Sequence, residues 1–485
     1  VYAMKPMFFV LTFLLLTSAA ILAKEQAPLT VVYSGSFLGQ LNSAAGGVQA
    51  KSVALIKEQR RVNNELILLA SGDCLGPGPI GDIDGGKSMI DVMNIAKYDA
   101  AGLGLYECFA GYENFQKRAK QAKFPYLSAN VVAKAGKAPL SPYTIIERNG
   151  WRVFVTGVVS PRYPETSFLW PKELTVNPVL PSLRALKKKA KGCSLVVVMA
   201  TQSMGENVQL LKKLRWVDVV ITSMVDEGSL FDLDLRASTL RDGRRLLWTF
   251  LGGHKFGSLK VFSKEKKSLV TKMELLSVKD SRQEDSEVLE LINELDGETQ
   301  KQTEKVLAQL TANEAEEFSL TFLNAMRCSM NAEVAMIDRS SLALSSVKES
   351  LTYLQLRQVY PYVSKGACVK VKGRLLRELW SKRNRALIWG KGLAFAGLTE
   401  RSGKVFVNNR PVKADDLYRV ATTQYLAEGG GNLLPKGRQG IGGESVFGVV
   451  QKFFQENYAT SRRRQLNRLV NKPVLRQRLA ADLYF

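Results

Sequence analysis

Short apolar runs alternate along residues 29–275 with longer stretches whose apolar positions recur at helical spacing. Leu29-Thr30-Val31-Val32-Tyr33 is β-branched and apolar, and a Gly-Ser stretch follows it. Residues 65–70, 100–104, 151–159, 194–200 and 217–222 are further strand candidates. Most are apolar throughout, as expected of strands covered on both faces. Between them, 49–63, 89–98, 112–122 and the basic 183–190 read as helices. This alternation predicts a layered α/β unit. Residues 281–312 break the rhythm. They are polar and acidic, with Val288, Leu289, Leu291, Ile292 and Leu295 at helical spacing, which predicts a linker helix. A second unit is predicted over 313–450, with helices at 316–328 and 373–380. Its strands fall at 332–337, 367–372 and 417–422, the last leading to a turn at Gly429-Gly430-Gly431.

The two ends carry different signals. Lys5 precedes the apolar run 7–16, and the small residues Ser18, Ala19, Ala20 and Ala23 follow. This is the pattern of a secretory signal peptide spanning 1–23, cleaved near Ala23. The run is too short for an ordinary membrane span. The expectation is an exported chain, periplasmic or extracellular, whose first unit covers 24–280. Residues 451–485 are expected to form a basic helical tail. From 459 onward it holds seven Lys/Arg against one Asp. Leu466, Leu469 and Val470 form one apolar face, and Leu475, Leu479 and Leu483 another beyond Pro473. Such a helix sits on an anionic surface, on a partner or on its own domain.

Charge sharpens the question of partners. The net charge is +23, which points toward an acidic polymer, an anionic envelope surface or a protein partner of the basic tail. No sequence-specific nucleic-acid motif is present. A single histidine among 485 residues excludes a multi-histidine metal centre. That residue, His254, lies in Gly252-Gly253-His254-Lys255 and reads as a surface turn entering a strand at 258–262. There are five cysteines and no C-x-x-C pair. At least one thiol is therefore free or pairs between molecules.

Several stretches carry a resemblance. They are Gly46-Gly47-Val48-Gln49-Ala50-Lys51, Leu69-Ala70-Ser71-Gly72-Asp73 and Phe124-Pro125-Tyr126-Leu127-Ser128-Ala129-Asn130-Val131. The most extended is Tyr418-Arg419-Val420-Ala421-Thr422-Thr423-Gln424-Tyr425-Leu426-Ala427-Glu428-Gly429-Gly430-Gly431. In this order they resemble the bacterial 5′-nucleotidase family. The resemblance implies an α/β and α+β architecture. A four-layer α-β-β-α metallophosphatase-like sandwich would be joined by a linker helix to a smaller α+β C-terminal domain. It also implies two divalent metals that activate water and clamp the reacting oxygens.

The family's ligand motifs are degenerate here. Ser36 and Leu38 stand where the first motif has Asp and His. Gly72-Asp73 is intact, making Asp73 the only retained ligand position. Leu105 and Tyr106 replace the Asn ligand and the His of the third motif, while Glu107 remains. The stretches after 196–199 and 219–222 lack their histidines. A lone carboxylate does not hold two metals. In the second unit, Ala343 replaces the family's anion-binding Arg. Asp338, Gly429, Gly430 and Gly431 are the positions left for substrate contact by resemblance, and Leu433 offers no ring for base stacking.

The expectation is an exported, catalytically inactive relative with a binding or structural role and no cofactor. The alternatives are a divergent metal-dependent hydrolase of nucleotides or other phosphate esters, and an envelope-associated polyanion binder. The family layout also brings the loops of Cys74 and Cys108 together. That suggests a disulfide in place of the metals, two buried thiols, or a soft-metal site shared with Asp73. A Cys328–Cys368 pair in the second unit rests on sequence position alone.

Overall fold

The computed structural model describes residues 27–458 except 40, 42–47, 79–80, 137, 168, 224–236, 241, 250–252, 266–267, 282, 295–296, 343, 385–391, 431–432 and 436–443. The signal peptide expected at 1–23 and the basic tail from 459 lie outside the described residues.

Two six-stranded sheets form the first unit. The first contains β1 (Leu29–Ser34), β2 (Ile67–Ala70), β3 (Ala100–Gly102) and β4 (Tyr126–Leu127). The second contains β5 (Thr144–Arg148), β6 (Trp151–Val159), β7 (Leu195–Thr201), β8 (Val219–Thr222), β9 (Ala237–Thr239) and β10 (Arg245–Trp248). The hairpin β11 (Lys255–Glu265) and β12 (Ser268–Ser277) returns to the first sheet, giving the order β12-β11-β1-β2-β3-β4. The second sheet runs β9-β10-β8-β7-β6-β5.

Side-chain alternation stacks the layers, because successive residues of a strand point to opposite faces. Val31 and Tyr33 join Leu69, Val155, Val197 and Ile221 in a core between the sheets. Val32 and Leu68 face the other way, against α1 (Val48–Val62), α2 (Lys87–Ala96) and α3 (Tyr112–Gln121). Phe154, Val196 and Val198 turn outward beneath α4 (Val179–Leu186) and α5 (Met204–Lys213). The expected α-β-β-α sandwich is therefore the observed one. The expected helix at 183–190 begins earlier and ends at Leu186, with residues 187–191 forming successive turns.

The stretch 281–312 departs from a single linker helix. It holds α6 (Ser286–Asn293), α7 (Gly297–Glu304) and the strand Val306–Gln309. Asp285 caps α6 by accepting from the Val288 N–H at 3.2 Å, and Val288 is buried in the first unit's core. The second unit carries α8 (Phe318–Ser329), β13 (Val334–Asp338), α9 (Tyr353–Val359), β14 (Gly366–Lys372), α10 (Gly373–Ser381), β15 (Leu393–Ala396) and β16 (Leu417–Thr423). Its main sheet has the order β14-β16-β13-β15. The helix α11 (Val446–Asn457) crosses the boundary expected at residue 450. Its Val446, Val450 and Phe454 are buried in the second unit's core, and Phe454 stacks on Phe318 with centroids 5.7 Å apart.

A polar clasp joins the two units. Asp82, on the helical turn Gly81–Asp84, accepts a hydrogen bond from the Tyr353 hydroxyl at 2.9 Å and pairs with the Arg357 guanidinium. Arg357 also lies over the Phe447 ring, 3.7 Å from its centroid. Removing one member of a buried ion pair leaves the other charge uncompensated, at a cost of about 3–5 kcal/mol. Arg357→Ala is expected to lose roughly that much in urea unfolding. The double variant Arg357→Ala, Asp82→Asn is expected to lose less than the sum of its two single variants, which a double-mutant cycle checks.

Candidate functional site

Loops from both sheets converge where their parallel strands end. The loop after β1 carries Ser36 and Leu38, that after β2 carries Asp73, and that after β3 carries Leu105, Tyr106 and Glu107. Ser223 follows β8 in the second sheet. Ends of parallel strands are where α/β sheets place ligand sites.

The Glu107 carboxylate ties the loops together. Oε2 accepts from the Gly104 N–H at 2.6 Å and the Asp73 N–H at 2.9 Å, and Oε1 accepts from the Cys74 N–H at 2.7 Å. Asp73 is equally engaged. Its Oδ1 accepts from the Tyr106 N–H and its Oδ2 from the Ser223 hydroxyl, both at 3.1 Å. The Ser36 hydroxyl donates to the Ser223 carbonyl at 3.0 Å. Backbone bonds continue the weave, from Ser36 N–H to the Gly72 carbonyl and from Leu38 N–H to the Asp73 carbonyl. The approach is close enough that a Cβ at residue 104 would lie 2.3 Å from Asp73 Oδ1, so only glycine fits there. Ser36, Leu38 and Asp73 all hold left-handed backbones, with φ of 54°, 51° and 59°. Such strain persists only where the surrounding contacts dictate it.

Burial dominates the electrostatics. It raises the Asp73 carboxyl, against the Tyr106 N–H and the Ser223 hydroxyl. Glu107 is pushed up to about 7, first by burial and then by the Asp73 charge, against its three N–H donors. Burial also raises the Tyr106 phenol, with the Asp73 charge adding to it. Tyr106 is within electrostatic reach of Tyr360, Tyr362 and Arg357 of the second unit. Tyr362 in turn feels Asp338, the buried end of β13. The structure thus brings Asp73, Tyr106, Tyr362 and Asp338 into one region between the units.

The remaining expected positions are more distant from chemistry. Gly429 turns with φ of 94°, and a Cβ at Gly430 would meet the Tyr425 ring at 2.5 Å. Gly431 and Ala343 lie outside the described residues. His254 is half-buried rather than on the open surface, and burial and Lys279 hold its imidazole below the ordinary value. Cys74 and Cys108 are buried free thiols, so the disulfide suggested between them is not formed. The Cys74 thiol donates to the Gly72 carbonyl at 3.5 Å instead. Burial and the Glu107 charge raise both thiols, which disfavours the thiolate a soft metal needs. Cys328 and Cys368 are also free. Sequence reasoning overlooked Ser223 and the Asp82–Arg357 clasp. Ser223 was detectable as the hydroxyl next to an apolar strand end, whereas the clasp pairs residues 275 positions apart and left no local signal.

At the described ligand positions of these loops, an apolar side chain and hydrogen-bonded carboxylates are found. Leu38 is an apolar side chain buried in a ligand position. Both Asp73 oxygens and both Glu107 oxygens already accept hydrogen bonds from the loops. Among the described residues no group of three or more His, Cys, Asp or Glu side chains is placed to hold an ion.

Comparison with known proteins agrees with the architecture. Residues 285–436 match the family model of the 5′-nucleotidase C-terminal domain. A 211-residue stretch is 29% identical to the trifunctional nucleotide phosphoesterase YfkN of Bacillus subtilis, covering 36% of this chain and 14% of that protein. A 186-residue stretch is 25% identical to the NAD 5′-nucleotidase of Haemophilus influenzae, covering 36% of this chain and 30% of that one. The matched segments thus span a third or less of these curated relatives. The 5′-nucleotidase precursor of Thermus thermophilus superposes with a TM-score of 0.67 at 21% identity, over 89% of this chain and 97% of that one. The class is the two-unit metallophosphatase-like fold of the 5′-nucleotidases. The chain resembles that family in sequence through its second unit and in fold through both.

The raised Glu107 carboxyl makes a pH prediction. Between its ordinary value of 4.5 and about 7, the folded chain keeps a proton that the unfolded chain has released. Stability therefore falls as pH rises through that window. Melting temperature followed from pH 4.5 to 8 should decline, and Glu107→Gln should flatten the decline. The amide presents N–H toward N–H donors, so this variant should also be less stable throughout, by about 1.5–3 kcal/mol.

Proposed function

We propose that this is an exported protein of 5′-nucleotidase fold that acts by binding rather than by metal-dependent hydrolysis. The observation that carries the reading is the satisfied state of Asp73 and Glu107. The two carboxylates that survive at the family's ligand loops are consumed in joining those loops. Ser36 adds one more strut to the same web, and Leu38 and Tyr106 bring bulk where a water nucleophile and its metals would need room. Export is supported by the signal-peptide pattern before Ala23.

The second reading is a divergent phosphoesterase. It is favoured by the relatives' names, which are those of nucleotide phosphoesterases and nucleotidases. The two readings separate on metal content. After equilibration with manganese and zinc and desalting, the mature protein is expected to retain no stoichiometric metal. Phosphate release from nucleoside monophosphates is expected to stay at the metal-only background, unchanged by Asp73→Ala. One or two retained metals, with turnover abolished by Asp73→Ala, would establish the phosphoesterase reading instead.

A further inference from the structure

The edge of the second sheet opposite the candidate site is densely basic. β7 and β8 are parallel neighbours, with Val219 opposite Val197. The segments that lead into them therefore arrive side by side at one edge. The first segment, after α4, carries Lys187, Lys188, Lys189 and Lys191. The second, at the end of α5, carries Lys212, Lys213 and Arg215. All seven are exposed. The Asp218 N–H bonds the Val196 carbonyl at 3.1 Å, and the Asp218 carboxylate accepts from the Val196 N–H at 2.8 Å, which pins the two segments together.

Among the described residues, three acids near these strand ends pair with other cations. Asp218 pairs with Lys264 at 2.6 Å, Asp242 with Arg244 at 2.8 Å and Glu147 with Arg152 at 3.4 Å. The same strand ends bring Arg152, Glu147 and Lys264 within electrostatic reach of Cys193. Arg244 also donates to the Leu211 carbonyl, so the exposed end of α5 is already capped without Lys212 or Lys213. None of the large exposed apolar side chains found among the described residues falls between 184 and 216. Trp216 packs against the core beneath the helices. The edge therefore offers charge with neither an apolar wedge for a lipid interface nor a ring for base stacking.

We infer that this edge, formed by Lys187, Lys188, Lys189, Lys191, Lys212, Lys213 and Arg215, is a docking surface for a flexible acidic polymer. Such a polymer carries closely spaced phosphate, sulfate or carboxylate groups. Its counterions are released as each lysine replaces them, which gives affinity without requiring a shaped pocket. The inference holds whether or not the interdomain cleft hydrolyses anything, because the surface lies at the other end of β7. Strand β7 has seven residues, which places it about 20 Å from the candidate site.

The test uses the mature full-length chain with two probes, long-chain polyphosphate and heparin. Binding is measured by anisotropy or calorimetry from 50 to 300 mM salt. Lys187→Gln, Lys188→Gln, Lys189→Gln and Lys191→Gln are combined in one variant. Lys212→Gln and Lys213→Gln form a second, and deletion of 459–485 removes the basic tail. The fourfold variant is expected to bind at least tenfold more weakly at 100 mM salt. Its slope of log affinity against log salt should fall by about 3, at roughly 0.7 per lost contact on a flexible polyanion. The twofold variant should shift the same way by about half, and the tail deletion should preserve the sensitivity to both. Binding of both probes in the same rank order supports a charge-read surface. Wild-type affinity in the fourfold variant, or complete loss on tail deletion alone, would overturn the proposal. So would binding to anionic vesicles with none to either soluble polymer.

Discussion

One buried carboxylate organises the loops at the ends of the first unit's parallel strands. Glu107 accepts N–H groups from Gly104, Asp73 and Cys74, so the loop after β3 is built onto the loop after β2. Asp73 passes the constraint on, through Tyr106 within the first sheet and through Ser223 to the second. Ser36 closes the circuit from β1. In a metal-dependent relative, ions would supply such cross-links between strand ends. Here backbone N–H groups and the Ser36 and Ser223 hydroxyls supply cross-links between the same loops.

Much of this was legible in the sequence, for physical reasons. Apolar runs such as 151–159 and 194–200 had to be buried on both faces, and they became β6 and β7 between two layers. Naming Ser36, Leu38, Leu105 and Tyr106 as the residues on the converging loops required only residue identity and strand order. What escaped was whatever depends on three dimensions. Glu107 was visible as a surviving residue, but its three donors are backbone groups that no sequence displays. Of the alternatives open for Cys74 and Cys108, the structure takes the two buried thiols, a choice that sequence position alone does not make. The linker region was read from one helical stripe, although Gly297 and the β-prone Val306–Gln309 divide it into two helices and a strand. The boundary placed at 450 fell within α11 because the sequence offers no hint that Phe454 stacks on Phe318.

The second unit does more than extend the fold. Its α9 sends Tyr353 and Arg357 to Asp82 of the first unit, while Tyr360 and Tyr362 approach Tyr106. The apposed surfaces there carry tyrosines, Tyr106 from the first unit and Tyr360 and Tyr362 from the second.

Strand direction gives the molecule a polarity. Parallel β6, β7 and β8 all begin at the lysine-rich edge and all end beside the cleft between the units. A chain tethered by that first edge would turn the cleft outward, away from whatever holds it, with the length of one strand as a spacer. Attachment and recognition would then occupy opposite poles, and occupancy of one would leave access to the other unobstructed.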